Sequence, residues 1–173
     1  MASQSVRYYE VQRTRPWWLV LIILLPTVIT WLGALQQLVL GEPLGSDPVS
    51  DTVMVAMVLT IGIVLPLLLL NIHLTVIVTD RISIRFFPFM PRPRIVRPEQ
   101  IKRSQATRYD PLLDYGGWGI RGWSMDRAYN VKGDSAVRLW LSDGRTILIG
   151  SQRPEELNTA IEAMLSGGRT EDR

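Results

Sequence analysis

Two hydrophobic patterns divide this chain. Residues 16–41 carry no charge, and Trp17-Trp18-Leu19-Val20-Leu21-Ile22-Ile23-Leu24-Leu25 opens a stretch long enough to cross about 30 Å of hydrocarbon. Residues 52–79 form a second uncharged stretch, apolar over 53–70, with the polar Asn71 and His73 marking its exit. Backbone in lipid must satisfy its own hydrogen bonds, so both runs predict transmembrane helices, over 17–38 and 53–71. Pro26 and Pro66 each remove one backbone donor. With no charged or strongly polar residue lining either segment, they read as helix bends rather than a transport path.

From Leu74 the pattern becomes alternation. Leu74, Val76 and Val78 share one face, and Ile82, Ile84 and Phe86 resume it after Asp80-Arg81, which predicts a β-hairpin. Pro88, Pro91 and Pro93 then interrupt pairing, so residues 88–93 are expected to form a loop or an edge. Further strands are predicted over 101–109, 128–131, 136–141 and 145–149. Lys132-Gly133-Asp134 and Ser142-Asp143-Gly144 separate the last three as turns, and the expected sheet is antiparallel throughout. A closing helix is signalled by Pro154, by Glu155 and Glu156 in its first turn, and by Leu157, Ile161 and Leu165 at four-residue spacing. Gly167-Gly168 ends it.

Charge orients these elements. Arg7, Arg13 and Arg15 precede the first apolar run, the connector 42–51 holds Glu42, Asp47 and Asp51 but no Lys or Arg, and Arg81 and Arg85 follow the second run. The positive-inside rule places both termini in the cytoplasm, the connector outside, and the chain in the cell (inner) membrane as a multi-pass protein. Trp17, Trp18 and Trp31 suit helix ends at the headgroups. A cleaved signal peptide is the competing reading of the first run, which is long and lacks a small-residue cleavage pattern. The expected organisation is an N-terminal segment 1–15, a helical hairpin 16–72, a cytoplasmic domain 73–166 and a polar tail 167–173.

Composition narrows the chemistry. The 173 residues include no cysteine and one histidine, His73, which removes disulfides, thiolate nucleophiles and Cys/His zinc sites. The net charge of +3 suits a membrane surface, and no nucleic-acid signature accompanies it. No cofactor is expected.

Six or seven short strands followed by one amphipathic helix is the layout of a small barrel or sandwich plugged at one end. The chain resembles bacterial membrane proteins that carry a pleckstrin-homology-like (PH-like) domain after a two-helix anchor. The resemblance rests on Arg108-Tyr109-Asp110-Pro111-Leu112-Leu113-Asp114-Tyr115-Gly116-Gly117-Trp118-Gly119-Ile120-Arg121, Ala128-Tyr129-Asn130-Val131-Lys132-Gly133 and Leu148-Ile149-Gly150-Ser151-Gln152-Arg153-Pro154. It implies a transmembrane hairpin followed by an antiparallel PH-like barrel or sandwich with a C-terminal amphipathic helix, and it supplies no catalytic residue. PH domains that grip phosphoinositides use a basic loop between their first two strands; the short Asp80-Arg81 turn gives no support for that ligand.

Two surfaces are candidates for binding. Phe89, Met90, Arg92 and Arg94 are expected near the bilayer as a lipid-contact loop, against a solvated loop whose Phe89 and Met90 pack on the protein. Arg97, Lys102 and Arg103 would extend the patch. Tyr115, Trp118, Arg121 and Trp123 form a candidate protein-contact surface, since Trp and Arg are common interface anchors. The alternative puts Trp118 in the barrel core with Arg121 paired to Asp110 or Asp114. Those two aspartates flank Pro111 and lack a third ligand, so a metal or acid/base pair is disfavoured. The expected function is a non-enzymatic, membrane-anchored binding or scaffold module for a protein partner and anionic lipid, with self-association left open. The alternative is an accessory subunit of a larger transporter or membrane enzyme, acting through its helices on the Gly62 and Pro66 faces.

Overall fold

The computed structural model describes residues 5–13, 17–43 and 45–168; Arg15, Pro16 and the tail 169–173, used in the sequence reading, lie outside the described residues. The chain divides into two units, one of Arg15–Ile72 and one of Met1–Thr14 with His73–Arg173.

The first unit is a helical hairpin. Helix α1 (Trp17–Val39) and helix α2 (Asp51–Leu70) are long and apolar enough to cross a membrane by length and composition, and match the expected spans within two residues. Ser50 caps α2, its hydroxyl accepting from the Val53 amide at 3.4 Å. The Gln37 side chain donates to the Val49 carbonyl at 2.7 Å and to Asp51 at 2.8 Å, tying the connector to α1. Both helices contain wide turns of π type, Leu35–Val39 and Val58–Val64. The second of these runs into Pro66. Proline has no N–H, so position 66 offers no backbone donor to the carbonyls four and five residues back, Gly62 and Ile61. Helix α1 supplies a side-chain donor: Trp31 Nε1 donates to the Gly62 carbonyl at 3.2 Å. Thr27 Oγ1 donates to the Ile23 carbonyl of its own helix at 2.7 Å and lies 3.4 Å from that of Ile61. Trp31 therefore stands near the middle of α1 with a partner on α2, instead of marking a helix end.

Among the described residues the second unit holds nine strands. Strand β1 (Tyr8–Arg13) pairs with β2 (His73–Val78), which pairs with β3 (Ile82–Phe87) and through it with β4 (Met90–Val96), all antiparallel. The second sheet comprises β5 (Ile101–Arg108), β6 (Gly119–Gly122), β7 (Asp126–Asn130), β8 (Ser135–Leu141) and β9 (Thr146–Gly150), in the order β5-β8-β9-β7-β6. A one-turn helix, α3 (Pro111–Tyr115), precedes β6, and α4 (Pro154–Gly168) closes the unit.

Strand β1 carries no sequence expectation, because its inward positions are Tyr8, Glu10 and Gln12 and its partner β2 follows only after the helical hairpin. Residues 88–93 resolve into the turn before β4 and the start of that edge strand. Proline at 91 and 93 is tolerated there, where the register shifts between the Ile84↔Arg94 and Phe86↔Met90 pairs.

The second sheet corrects the expectation of uniform antiparallel pairing. Strands β7 and β9 run parallel, with Ala128 opposite Leu148 and Tyr129 opposite Ile149. Lys132-Gly133-Asp134 is thus a crossover rather than a hairpin turn, and its Asp134 carbonyl accepts from the Tyr109 amide at 2.9 Å. The physical reason lies in β9, where Ile147, Leu148 and Ile149 are all fully buried. A central strand covered on both faces reads as a continuous apolar run and can take a parallel neighbour. Ser142-Asp143-Gly144 does form the predicted β8–β9 turn, with Gly144 at φ +85°.

On one face of this sheet Ala128, Ala136 and Leu148 form a cluster with Tyr109, and Tyr115 packs against it. Helix α4 packs on β5 and β8 and also meets β1 and β2. Its buried positions are Leu157, Ala160, Ile161 and Met164, while Leu165 is only half-buried, so the apolar stripe is broader than a single four-residue row.

A buried polar latch binds β1 to the turn before α4. Glu10 accepts from the Tyr8 hydroxyl at 2.6 Å, the Ser151 hydroxyl at 2.7 Å and the Gln152 amide at 2.8 Å. Gln12 donates to the Gly150 carbonyl at 2.6 Å, and the Arg153 guanidinium lies 5.2 Å from the centre of the Tyr8 ring.

Candidate functional site

The segment from Asp110 to Arg127 builds the first candidate surface. Asp110 is the N-cap of α3, its Oδ1 accepting from the Leu112 and Leu113 amides at 2.9 and 3.0 Å. Asp114 reaches back to accept from the Asp110 amide at 3.0 Å. Each carboxylate is thus engaged in holding one short helix. Among the described residues no group of three or more His, Cys, Asp or Glu could hold a metal ion.

Helix α3 ends at Gly116, left-handed at φ +67°, and the chain turns back into β6. Tyr115 donates to both oxygens of Asp126, at 3.0 and 3.1 Å, and meets the Tyr109 ring edge-on with centroids 6.0 Å apart. Burial and the Asp126 charge push the Tyr115 hydroxyl up to about 12. Tyr109 is raised too, chiefly by burial, and its hydroxyl accepts from the buried Asn130 amide at 2.7 Å. The Asn130 carbonyl oxygen accepts in turn from the Gly119 amide at 2.8 Å, fixing the start of β6.

Along this segment several large apolar groups are exposed. Leu113 and Trp123 are 86% and 88% exposed, Leu112 62% and Met125 59%. Trp118 is half-exposed, and its indole donates to the Gly133 carbonyl at 3.2 Å; it does not fill the core. Arg121 Nε donates to the Trp118 carbonyl at 3.1 Å, so the guanidinium braces the turn instead of pairing with Asp110 or Asp114. Between Trp118 and α3 lies an open cleft of about 460 Å³, with Arg108, Tyr109, Asp110, Leu112 and Asp134 on its walls. Of the four predicted contact residues, Trp118, Arg121 and Trp123 lie at the surface, whereas Tyr115 is a strut beneath it.

The predicted lipid-contact residues separate. Phe89 is 62% exposed and leans on Phe86 with ring centroids 6.1 Å apart; Met90 is half-buried and Arg92 exposed. Arg94 is committed elsewhere, because it sits opposite Ile84 on the inward side of β4 and donates to the Tyr129 hydroxyl at 3.0 Å. Arg103 stacks over Trp140 at 5.0 Å, so it does not extend the patch as a free cation. Sequence reasoning missed Glu10 and Ser151, which meet across 141 positions, and Asn130, whose partners Tyr109 and Gly119 lie on other elements.

Two apolar helices, a four-stranded antiparallel sheet, a mixed five-stranded sheet and a closing helix define a helical-hairpin protein with a β-rich unit. The chain belongs to the family of unknown function DUF6141, which matches residues 2–167. No curated protein and no solved structure matches it.

Proposed function

We propose that this protein is a non-enzymatic docking module of the bacterial inner membrane, anchored by α1 and α2, with a PH-like β unit on the cytoplasmic side that engages a protein partner. The carrying observation is the exposure of Leu112, Leu113, Trp118, Trp123 and Met125 within fourteen consecutive positions, on a scaffold of turns and caps that holds them out of the core. The surrounding charge favours a protein occupant. Asp110, Asp114 and Asp126 stand there against Arg121 and Arg127, a balance that an anionic bilayer does not attract. The complementary partner presents apolar side chains flanked by Lys or Arg. Capping by Asp110 and Asp114 supports the non-enzymatic reading, since both have structural work.

The alternative, an accessory subunit acting through its helices, finds less support at Gly62. A Cβ there would meet Trp31 Nε1 at 3.0 Å, so that face is occupied within the hairpin. The open apolar groove beside it, about 230 Å³ between Trp31, Leu35, Leu38, Val55 and Leu59, remains the surface for that reading.

Crosslinking in native membranes, followed by mild-detergent purification of wild type and the Trp118→Ala/Trp123→Ala variant, tests the proposal. Loss of a specific crosslinked protein in a variant with unchanged circular dichroism is the expected result. Identical partners from both proteins would exclude the tryptophans as the contact and turn attention to the helical groove.

A further inference from the structure

We infer that the end of the first sheet at which the chain enters and leaves is an anionic-phospholipid headgroup site, formed by Arg13, Arg85 and Arg92 together with the exposed Phe89 of the β3–β4 turn. The inference rests on the membrane-anchor reading above and adds a second surface with its own ligand.

Register brings the parts together. Arg13, His73 and Phe87 are opposite one another across β1, β2 and β3 and form one row of the sheet. Val11, Thr75 and Arg85 form the next row, on the same face. From strand spacing and rise, the Cα atoms of Arg13 and Arg85 lie about 12 Å apart. The turn from β3 to β4 closes over this end, carrying Phe89 at 62% exposure, and the irregular start of β4 leaves Arg92 exposed. His73 and Phe87 stack with centroids 5.4 Å apart and give the end a flat aromatic edge.

Electrostatics gives this end one sign. Residues 11–13, 71–79 and 83–97 contain no Asp or Glu. The nearest carboxylate on these strands, Glu10, is buried and turned toward Ser151 and Gln152. None of the ion pairs between described residues involves Arg13, Arg85 or Arg92. Arg94 is excluded by its bond to Tyr129.

Connectivity selects the bilayer as occupant. Strand β1 ends at Arg13, four positions before α1 begins, and β2 begins at His73, three positions after α2 ends. Even fully extended, at about 3.5 Å per residue, connectors of this length could span no more than roughly 10 to 14 Å, so anchoring by α1 and α2 would keep this end of the sheet within headgroup reach. That distance spans a headgroup layer. Guanidinium forks suit phosphate oxygens, and an exposed Phe beside them suits the acyl boundary.

The chain has no cysteine, so single labels can be introduced without background. Full-length Ile29→Cys, Met90→Cys and Ser124→Cys proteins would carry nitroxides in nanodiscs of phosphatidylcholine alone or mixed with phosphatidylglycerol. Collision with oxygen and with a water-soluble nickel chelate reports depth. Expected results are a hydrocarbon depth at 29 in both discs, headgroup depth at 90 that deepens with phosphatidylglycerol, and an aqueous label at 124. Adding Arg13→Gln, Arg85→Gln and Arg92→Gln to the Met90→Cys protein should lower the docked-to-free ratio about fivefold per arginine. A label at 90 as water-accessible as that at 124 in phosphatidylglycerol discs, or one indifferent to the arginine substitutions, overturns the site. An aqueous label at 29 overturns the anchor itself, a separate failure.

Discussion

Trp31 donates its indole N–H, at 3.2 Å, to the Gly62 carbonyl, four residues before Pro66, where the i→i−4 pattern has no amide to offer. One helix of the hairpin thus repairs the hydrogen-bond gap in the other, which couples their packing to a single side chain. Trp31→Phe keeps the ring but removes the donor, and should cost about 1 kcal/mol of hairpin stability. In a Pro66→Ala background the backbone regains a donor for Gly62, so the same substitution should cost close to nothing. A double-mutant cycle from reversible unfolding in mixed micelles reads the coupling. Equal costs in both backgrounds would show that the indole contributes packing alone.

The β6–β7 turn depends on Gly122 more than the end of α3 depends on Gly116. Both glycines are left-handed, at φ +81° and +67°. At Gly116 a Cβ would meet nothing within 4 Å, whereas at Gly122 it would collide with the Asp126 carbonyl oxygen. Gly116→Ala should therefore cost about 1 kcal/mol of backbone strain, and Gly122→Ala roughly 3 kcal/mol or more, because the turn carrying Trp123 must shift. Chemical denaturation midpoints would rank the two; equal midpoints would contradict the steric argument.

What the sequence disclosed follows the range of each signal. Continuous apolar runs marked α1 and α2, strict alternation marked β2 and β3, and Asp143-Gly144 marked the β8–β9 turn, because each is a property of neighbouring residues. Strand β1 was hidden because Glu10 and Gln12 face inward and find their partners at Gly150, Ser151 and Gln152, about 140 positions on. The parallel pairing of β7 with β9 was hidden because a short apolar run does not specify its neighbour's direction. At the candidate site, Trp118, Arg121 and Trp123 were legible as interface residue types. The division of labour was not, since only the folded chain shows Tyr115 and Arg121 supporting the surface and Arg94 turned inward to Tyr129. The Asp110-Pro111 pair did carry a readable cue, an N-cap followed by proline at the first helical position.

The latch at Glu10 makes a prediction about alkaline pH. Burial first, then the hydrogen bond to Glu10, push the Tyr8 hydroxyl from 10.0 to about 12, and burial with the Asp126 charge does the same at Tyr115. A raised folded value means that the folded state resists losing the proton while the unfolded chain releases it near 10. The contribution of these tyrosines is therefore fully present below about pH 10, and is lost as pH rises through the window toward about 12. Tyr8→Phe leaves Glu10 with two donors, from Ser151 and Gln152, and should lower stability at neutral pH by about 1 kcal/mol. The same substitution should flatten the alkaline decline, and Tyr8→Phe/Tyr115→Phe should flatten it further. Urea midpoints of the full chain in detergent, followed from neutral pH into this window, measure both effects. An alkaline slope unchanged in the double variant would assign the loss to other groups and remove the latch as its cause.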